Sequence, residues 1–197
     1  MAYIRNHIMR YASVCHFYLA KQLCWRSMRT FVGTVAFLLC SGVVQAQDEV
    51  DYAVHANIIY HFTKYIDWPA TKKTGDFIIG VTGDSPLYDE LLKLVKNKKV
   101  GNQDIAVKKF SSSAATFNCH ILFISDEVSG KIKKILNLTG NTPLLLVSES
   151  EGMAEVGSCI NFTIVKEKLK LEINKANIEN RGLNIASELL KLGTIVR

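Results

Sequence analysis

The chain has 197 residues, 24 basic and 18 acidic side chains, and a formal net charge of +6. Five basic residues and no acidic ones precede residue 47, so 19 basic residues face 18 acidic ones in the remainder, a net charge of +1. This weak charge removes the electrostatic support for a nucleic-acid-binding protein. The remaining 151 residues are enough for one domain with a single core.

The first 46 residues are predicted to be a leader that ends in a signal peptide. Residues 30–44 contain no charge, follow Arg26 and Arg29, and lead to a small-x-small pattern that ends at Ala46. The apolar run is shorter than the roughly 20 residues that cross a bilayer, which favours cleavage after Ala46 over anchoring. Met28 begins a segment of ordinary signal-peptide length, and we expect it to be the true start. We therefore expect export to the periplasm and one mature domain, residues 47–197.

A helix over residues 54–69 is the first predicted element of that domain. Pro69 pushes Trp68 out of helical backbone space, so the helix should end there, with the Trp68 ring between helix and sheet. Five apolar residues at helical spacing are expected to form its buried face: Val54, Ile58, Phe62, Tyr65 and Ile66.

The rest of the chain alternates between predicted strands and helices. Strands are expected at residues 77–82, 105–110, 119–124 and 144–147, and helices at 86–96, 129–138 and 183–193. Ser85 and Pro86 suit a helix start. Residues 159–165 and 169–174, joined by a short connector, predict an antiparallel hairpin. The pattern predicts an α/β fold: a three-layer, Rossmann-like, mostly parallel sheet with helices on both faces and an antiparallel edge hairpin.

Four ordered motifs resemble the YfiR-like family of exported bacterial proteins. They are residues 60–69, residues 119–125, Gly152-Met153 with residues 160–162, and residues 171–174 leading into residues 183–192. The resemblance implies a periplasmic α/β sensor without known catalysis. The best-known member of this family is a negative regulator that binds and restrains the periplasmic part of a membrane-bound diguanylate cyclase, and the resemblance implies a similar role here. The family's cysteines pair as disulfides, whereas neither cysteine of residues 47–197 has a second cysteine close to it in sequence.

Cys119 and Cys159 are the two cysteines that remain after the leader, and in an exported protein they are a candidate disulfide. The alternative is two separate, buried thiols.

Cys119 and His120 are adjacent on a predicted strand and point to opposite faces, so no catalytic thiol–imidazole pair is expected. The histidines are too scattered for a metal site. We therefore expect no enzyme activity, metal or cofactor.

Two groups of residues are candidate binding sites. Parallel strands direct their carboxyl ends to one edge, where open α/β sheets bind ligands, and five polar residues follow predicted strands there: Thr82, Asp84, Ser85, Ser125 and Asp126. As helix caps and turn formers, these residues need no ligand. Tyr60 and Trp68 are candidates for a partner-binding surface.

The sequence is compatible with two functions. The first is a regulator that binds the periplasmic domain of an inner-membrane signalling protein, a diguanylate cyclase or a kinase. The second is a periplasmic module that binds a small molecule. The oligomeric state is not fixed by these patterns, and a homodimer is left open.

Overall fold

A computed structural model describes residues 50–197, beginning just before helix α1 (Tyr52–Tyr65). The Asp51 carboxylate caps α1 by accepting from the backbone N–H groups of Ala53 and Val54. The helix ends before the predicted Trp-Pro corner, because Ile66–Asp67 (β1) leaves it to pair antiparallel with Asn184–Ile185 (β9). The predicted leader and signal peptide lie outside the described residues.

The buried face of α1 is rotated from the predicted one. Phe62 and Ile66 are buried as expected, but Val54 is 42% exposed and Ile58 and Tyr65 are only half-buried. The residues that α1 buries are His55, Ala56, Ile59, Phe62 and Thr63. The prediction was wrong because it counted only apolar side chains, whereas the helix also buries a histidine and a threonine that bond to its own backbone.

Eight strands form one sheet, and their bounds are Phe77–Thr82 (β2), Lys99–Val100 (β3), Gln103–Phe110 (β4), Ile121–Ile124 (β5), Leu145–Ser148 (β6), Ile160–Val165 (β7), Lys168–Asn174 (β8) and Thr194–Val196 (β10). Their order in the sheet is β10-β8-β7-β6-β5-β2-β4-β3. The neighbours from β4 through β2, β5 and β6 to β7 are all parallel. β7 and β8 form the predicted antiparallel hairpin, with Phe162 opposite Leu171.

Helices cover both faces of the sheet. α2 (Leu87–Val95) connects β2 to β4, and α3 (Ile132–Thr139) connects β5 to β6 in the opposite direction across the sheet. Because such crossovers are right-handed, α2 and α3 lie on opposite faces. α1 packs beside α2. The predicted mostly parallel α/β sheet, with helices on both faces and an antiparallel hairpin, is confirmed.

The two central strands form the middle of the core. Every side chain of β5 and β6 is buried, as expected for strands covered on both faces. Phe62 and Phe162 stack above this centre with ring centroids 6.3 Å apart. Val50–Arg197 forms one compact unit with its own continuous core.

Two predicted helices differ from the structure. The helix expected at 129–138 begins only at Ile132, after a 3-10 segment (Asp126–Lys131), and Leu138 near its end is 43% exposed. The helix expected at 183–193 is reduced to α6 (Ser187–Leu190), between β9 and β10.

The backbone explains the short α6. A side chain at Gly193 would come within 2.8 Å of the Leu171 carbonyl oxygen, so the chain must pass directly over β8 there and then pair with it. Two further short helices are α4 (Met153–Val156), a single turn, and α5 (Lys175–Glu179), which had not been predicted.

Candidate functional site

The carboxyl ends of β2 and β5 lie side by side at the point where the strand order reverses. From β2 the chain crosses to β4 on one side, and from β5 it crosses to β6 on the other. Open α/β sheets bind ligands at such a reversal. The backbone N–H of Ser125 donates to the Thr82 carbonyl at 3.1 Å, so the structure brings the ends of both strands together. The five predicted pocket residues lie on the segments that follow: Thr82, Asp84, Ser85, Ser125 and Asp126.

The turn after β2 is closed rather than open. Thr82, Ser85 and Ser125 are all buried. Gly83 has a φ of +86°, and a Cβ placed on it would lie 2.0 Å from the Ser125 Oγ. Only glycine fits this conformation in this space. A ligand at this edge must therefore bind to one side of the turn rather than above it.

The hydroxyls at this turn differ in their hydrogen bonding. Ser85 Oγ accepts from the backbone N–H of Leu87 at 3.3 Å, which supports the start of α2 as predicted. Thr82 Oγ1 and Ser125 Oγ are buried and have no partner among the described residues. A buried hydroxyl without a partner costs about 1–3 kcal/mol in proteins. These two groups are therefore a local source of instability.

Two carboxylates lie beside the turn, at the ends of β5 and β6. Glu149 Oε1 accepts from the backbone N–H of Asp126 at 3.1 Å and from the Tyr52 hydroxyl at 3.5 Å. Asp126 Oδ1 accepts from the Ser150 hydroxyl at 2.6 Å. Burial, and secondarily the Asp126 charge, raise the pKa of the Glu149 carboxyl, while its hydrogen bonds lower it. No lysine or arginine of the described chain forms an ion pair with either carboxylate.

A cavity of about 410 Å³ opens next to these carboxylates. This volume is within the range of small-molecule sites. Its wall combines acidic, aromatic and aliphatic side chains and contains no lysine or arginine: Val50, Tyr52, His55, Asp126, Glu149, Ser150, Glu151, Phe162, Ile164 and Leu169. The cavity therefore has a negative potential and an aromatic wall.

His55 stands between the two aromatic rings of that wall. Its ring centroid is 5.4 Å from that of Tyr52 and 4.3 Å from that of Phe162. Its Nδ1 is 2.9 Å from the Asp51 carbonyl oxygen, which can only accept, so Nδ1 carries a proton. Burial lowers the pKa of His55, and the neutral ring is therefore favoured.

Of the five predicted pocket residues, only Asp126 lines the cavity. Tyr52, His55 and Glu149 had not been predicted. The acidic run that begins at Glu149 directly follows a buried strand, and this position could have identified it. Nothing in the sequence places the first turn of α1 against the ends of β5 and β6, because that proximity results from packing alone.

The two predicted partner-binding aromatics have different environments. Tyr60 is half-buried, and the Nζ atoms of Lys98 and Lys64 lie 4.2 and 5.4 Å from its ring centroid. Trp68 is 5% exposed and packs edge-on against Phe77 at 5.0 Å. A surface role for Trp68 is therefore wrong, because its ring fills the space between α1 and the sheet. Tyr60 remains a candidate for contact with a partner.

A second concavity, of about 340 Å³, lies between α1, β8 and α6. Its wall is mostly apolar: Ile58, His61, Phe62, Tyr65, Leu169, Leu171, Leu189 and Leu192. Leu192 at its rim is 66% exposed. We call this concavity the apolar groove.

The candidate Cys119–Cys159 disulfide does not form; both thiols are free and buried, as in the alternative. Cys119 precedes β5 and Cys159 precedes β7, so β6 lies between them. Two strand spacings amount to about 10 Å, beyond the roughly 7 Å between Cα atoms that a disulfide spans. Burial raises the pKa of Cys119 to about 12 and that of Cys159 to about 11, so both remain protonated thiols.

Within residues 50–197, no group of three or more histidine, cysteine, aspartate or glutamate side chains is placed to hold a metal ion. In the same residues, no helix is both long enough and apolar enough to span a membrane.

No curated protein sequence is significantly similar to this chain. Among solved structures, one similar chain is described as the ABC domain in complex with L-Trp from Streptococcus pneumonia. It shares 13% sequence identity, with a TM-score of 0.48 over 60% of this chain and 55% of that one. The match therefore spans only about half of that structure.

A protein family described as DUF4154, YfiR/HmsC-like, matches residues 52–194, which is nearly all of the described domain. The chain belongs to the YfiR/HmsC-like family.

Proposed function

We propose that the protein is a non-enzymatic periplasmic regulator that binds the periplasmic domain of a membrane signalling protein and restrains it. The observation that carries this proposal is the family match over residues 52–194. The resemblance to YfiR-like proteins implies periplasmic regulation of a diguanylate cyclase. A diguanylate cyclase is the first candidate partner and a kinase the second. The uncharged run at residues 30–44 supports export through a signal peptide.

The apolar groove is the surface that best suits such a partner. Protein interfaces are built around apolar pockets that receive a few large side chains. The groove has an apolar wall, and Leu192 leaves much of its side chain in water at the rim. Contact with a partner would bury that side chain.

A pull-down tests this function. Residues 47–197, which include the compact unit, serve as bait for solubilised membranes, and captured proteins are identified by mass spectrometry. We expect capture of a membrane-bound cyclase or kinase, its loss with Leu192→Glu, and its retention with Leu138→Glu, a matched change on the exposed side of α3. Enrichment of no membrane signalling protein by the unmodified bait would refute the regulatory function.

The cavity beside Glu149 supports a second function, the binding of a small molecule. Its carboxylates lack basic partners and its wall contains Tyr52, His55 and Phe162, so it favours a ligand that carries a positive charge. A regulator whose partner affinity depends on such a ligand would switch by a shift in population.

Thermal unfolding with choline and with its neutral isostere 3,3-dimethylbutanol tests the second function. A ligand at 100 times its Kd adds about 2.7 kcal/mol, or roughly 5–10 °C in a domain of this size. We expect choline alone to raise the Tm, and Glu149→Gln to reduce that increase. Equal shifts with both compounds, or none with either, would argue against a cation site.

A further inference from the structure

A short segment of the described residues carries more net positive charge than those residues carry in total. Residues 93–109 contain six lysines and a single acidic residue, Asp104. The described chain, residues 50–197, has 19 basic and 16 acidic residues, a net charge of +3. The +5 of this segment therefore exceeds the charge of the whole described chain. The remainder is slightly acidic.

The fold places these lysines beside α1 and α2. Lys98 follows α2, and its Nζ lies 4.2 Å from the Tyr60 ring centroid, beside Lys64 of α1. Lys109, near the end of β4, lies 4.8 Å from the ring centroid of Tyr88 on α2. Through these contacts α1, α2 and the end of β4 form one continuous surface. We define the basic face as Lys64, Lys96, Lys98 and Lys109.

These four lysines have no ion-pair partner within residues 50–197. Lys93 is paired with Glu90 at 2.7 Å and Lys99 with Asp104 at 3.0 Å, and neither belongs to the basic face. The basic face thus has four positive charges available to an outside partner.

Apolar and aromatic side chains lie among these charges. Tyr88, Leu92 and Lys96 are spaced four residues apart, so they follow one stripe along α2 and its end. Leu92 is exposed, and Tyr60 and Tyr88 are half-buried beneath lysine side chains. The face is therefore a mixture of cations, tyrosines and one exposed leucine.

Protection of a sheet edge explains only part of this pattern. β3 pairs only with Gln103 and Asp104, so the rest of β4 is an open edge. Lysines on such an edge prevent unwanted strand pairing, and this accounts for Lys109. Lys64, Lys96 and Lys98 are not on strands, so they have no edge to protect. Spread over three elements without a shaped pocket, they suit a diffuse anionic surface rather than one specific ligand.

We propose that the basic face docks on the anionic phospholipid headgroups of a bilayer. Lysines near such a surface are attracted by its negative potential, and tyrosines are enriched at the headgroup level. This interaction goes beyond the proposed regulatory function and requires no partner protein. Docking would concentrate the protein at the surface where a membrane protein displays its periplasmic domain.

Cosedimentation with phospholipid vesicles tests this proposal. Residues 47–197 are mixed with vesicles of phosphatidylglycerol and phosphatidylcholine, and in parallel with vesicles of phosphatidylcholine alone. Each lysine at an anionic surface strengthens binding about fivefold, so four give several hundred-fold over neutral vesicles at low salt. We expect binding to the anionic vesicles only, and a steep loss of it as salt rises.

Two triple variants with the same change in net charge show which face docks. Lys96→Gln, Lys98→Gln and Lys109→Gln together should weaken binding about 100-fold. The control changes Lys131, Lys133 and Lys134 to Gln at α3, on the other face of the sheet, and should have little effect. All three control lysines are exposed, so the fold should persist, and circular dichroism verifies both variants.

Equal losses in the two triple variants would overturn the proposal, since only net charge would then matter. Equal binding to neutral and anionic vesicles, or no binding to either, would also overturn it. The face would instead bind an acidic protein if two results were found together. The unmodified protein would bind no vesicles, and the first triple variant would no longer capture the membrane protein. Because the vesicles contain no protein, the lipid proposal can fail while the regulatory function stands, and the reverse also holds.

Discussion

Replacing Ser125 with alanine should stabilise the protein, although Ser125 is a buried polar residue in the turn beside the candidate site. Its Oγ has no hydrogen-bond partner among the described residues, and the side chain is 1% exposed. Serine and alanine differ by one oxygen, so the change removes the unpaired hydroxyl and leaves almost no cavity. Since an unpaired buried hydroxyl costs about 1–3 kcal/mol, we expect Ser125→Ala to raise the free energy of unfolding by about 1 kcal/mol.

Ser148 provides the matched control on the adjacent strand. It is equally buried, but its hydroxyl lies 2.7 Å from Asn161 Oδ1 and 2.8 Å from the Ser158 hydroxyl. Because the amide oxygen only accepts, Ser148 donates to Asn161 and accepts from Ser158. Ser148→Ala leaves both partners unsatisfied in the core, which should lower the free energy of unfolding by about 2 kcal/mol.

Urea unfolding measures both variants under the same conditions. The difference of about 3 kcal/mol between them corresponds to a separation of roughly 1–2 M in the transition midpoints at an m-value of about 2 kcal/mol/M. An unchanged m-value shows that the difference arises from the folded state. If Ser125→Ala destabilised the protein as much as Ser148→Ala does, the hydroxyl would be satisfied in solution and the reasoning would be refuted.

Three further predictions concern the turn, the histidines and the thiols. Gly83→Ala should cost about 2–4 kcal/mol in urea unfolding, because a Cβ at positive φ would meet the neighbouring serine hydroxyl. Burial lowers the pKa of His55 and of His120, so the unfolded state binds more protons below about 6.5. Thermal unfolding should therefore show stability falling with acidification through that pH, and His55→Gln should reduce the slope. Cys119 and Cys159 should react with a thiol reagent only after unfolding, and rapid modification of native protein would contradict their burial.

Hydrophobic patterning was sufficient to predict the middle of the fold. Strands β2, β5 and β6 were expected from continuous apolar runs, which arise because both faces of these strands are covered. The hairpin was expected from alternating residues and a short connector, and β7 and β8 pair as predicted. These signals are local, so a single sequence contains them.

Tertiary contacts decided the parts that were predicted wrongly. Local periodicity favoured a long final helix, but the strand pairings at β9 and β10 leave only Ser187–Leu190 helical. The cavity wall depends on contact between the first turn of α1 and the end of β6, nearly 100 residues apart in sequence. Local sequence propensity contains no information about such a long-range contact. For this reason Asp126 was the single cavity residue that was predicted.

The arrangement of the thiols restricts how this protein can respond to its surroundings. A disulfide between Cys119 and Cys159 would require β6 to leave the centre of the sheet, where all of its side chains are buried. Displacing a central strand amounts to unfolding the domain, which is too large a change for a reversible switch. A pull-down repeated with and without reductant should therefore capture the same proteins. Within residues 50–197, a change in partner binding would come from a ligand or a surface contact rather than from these two cysteines.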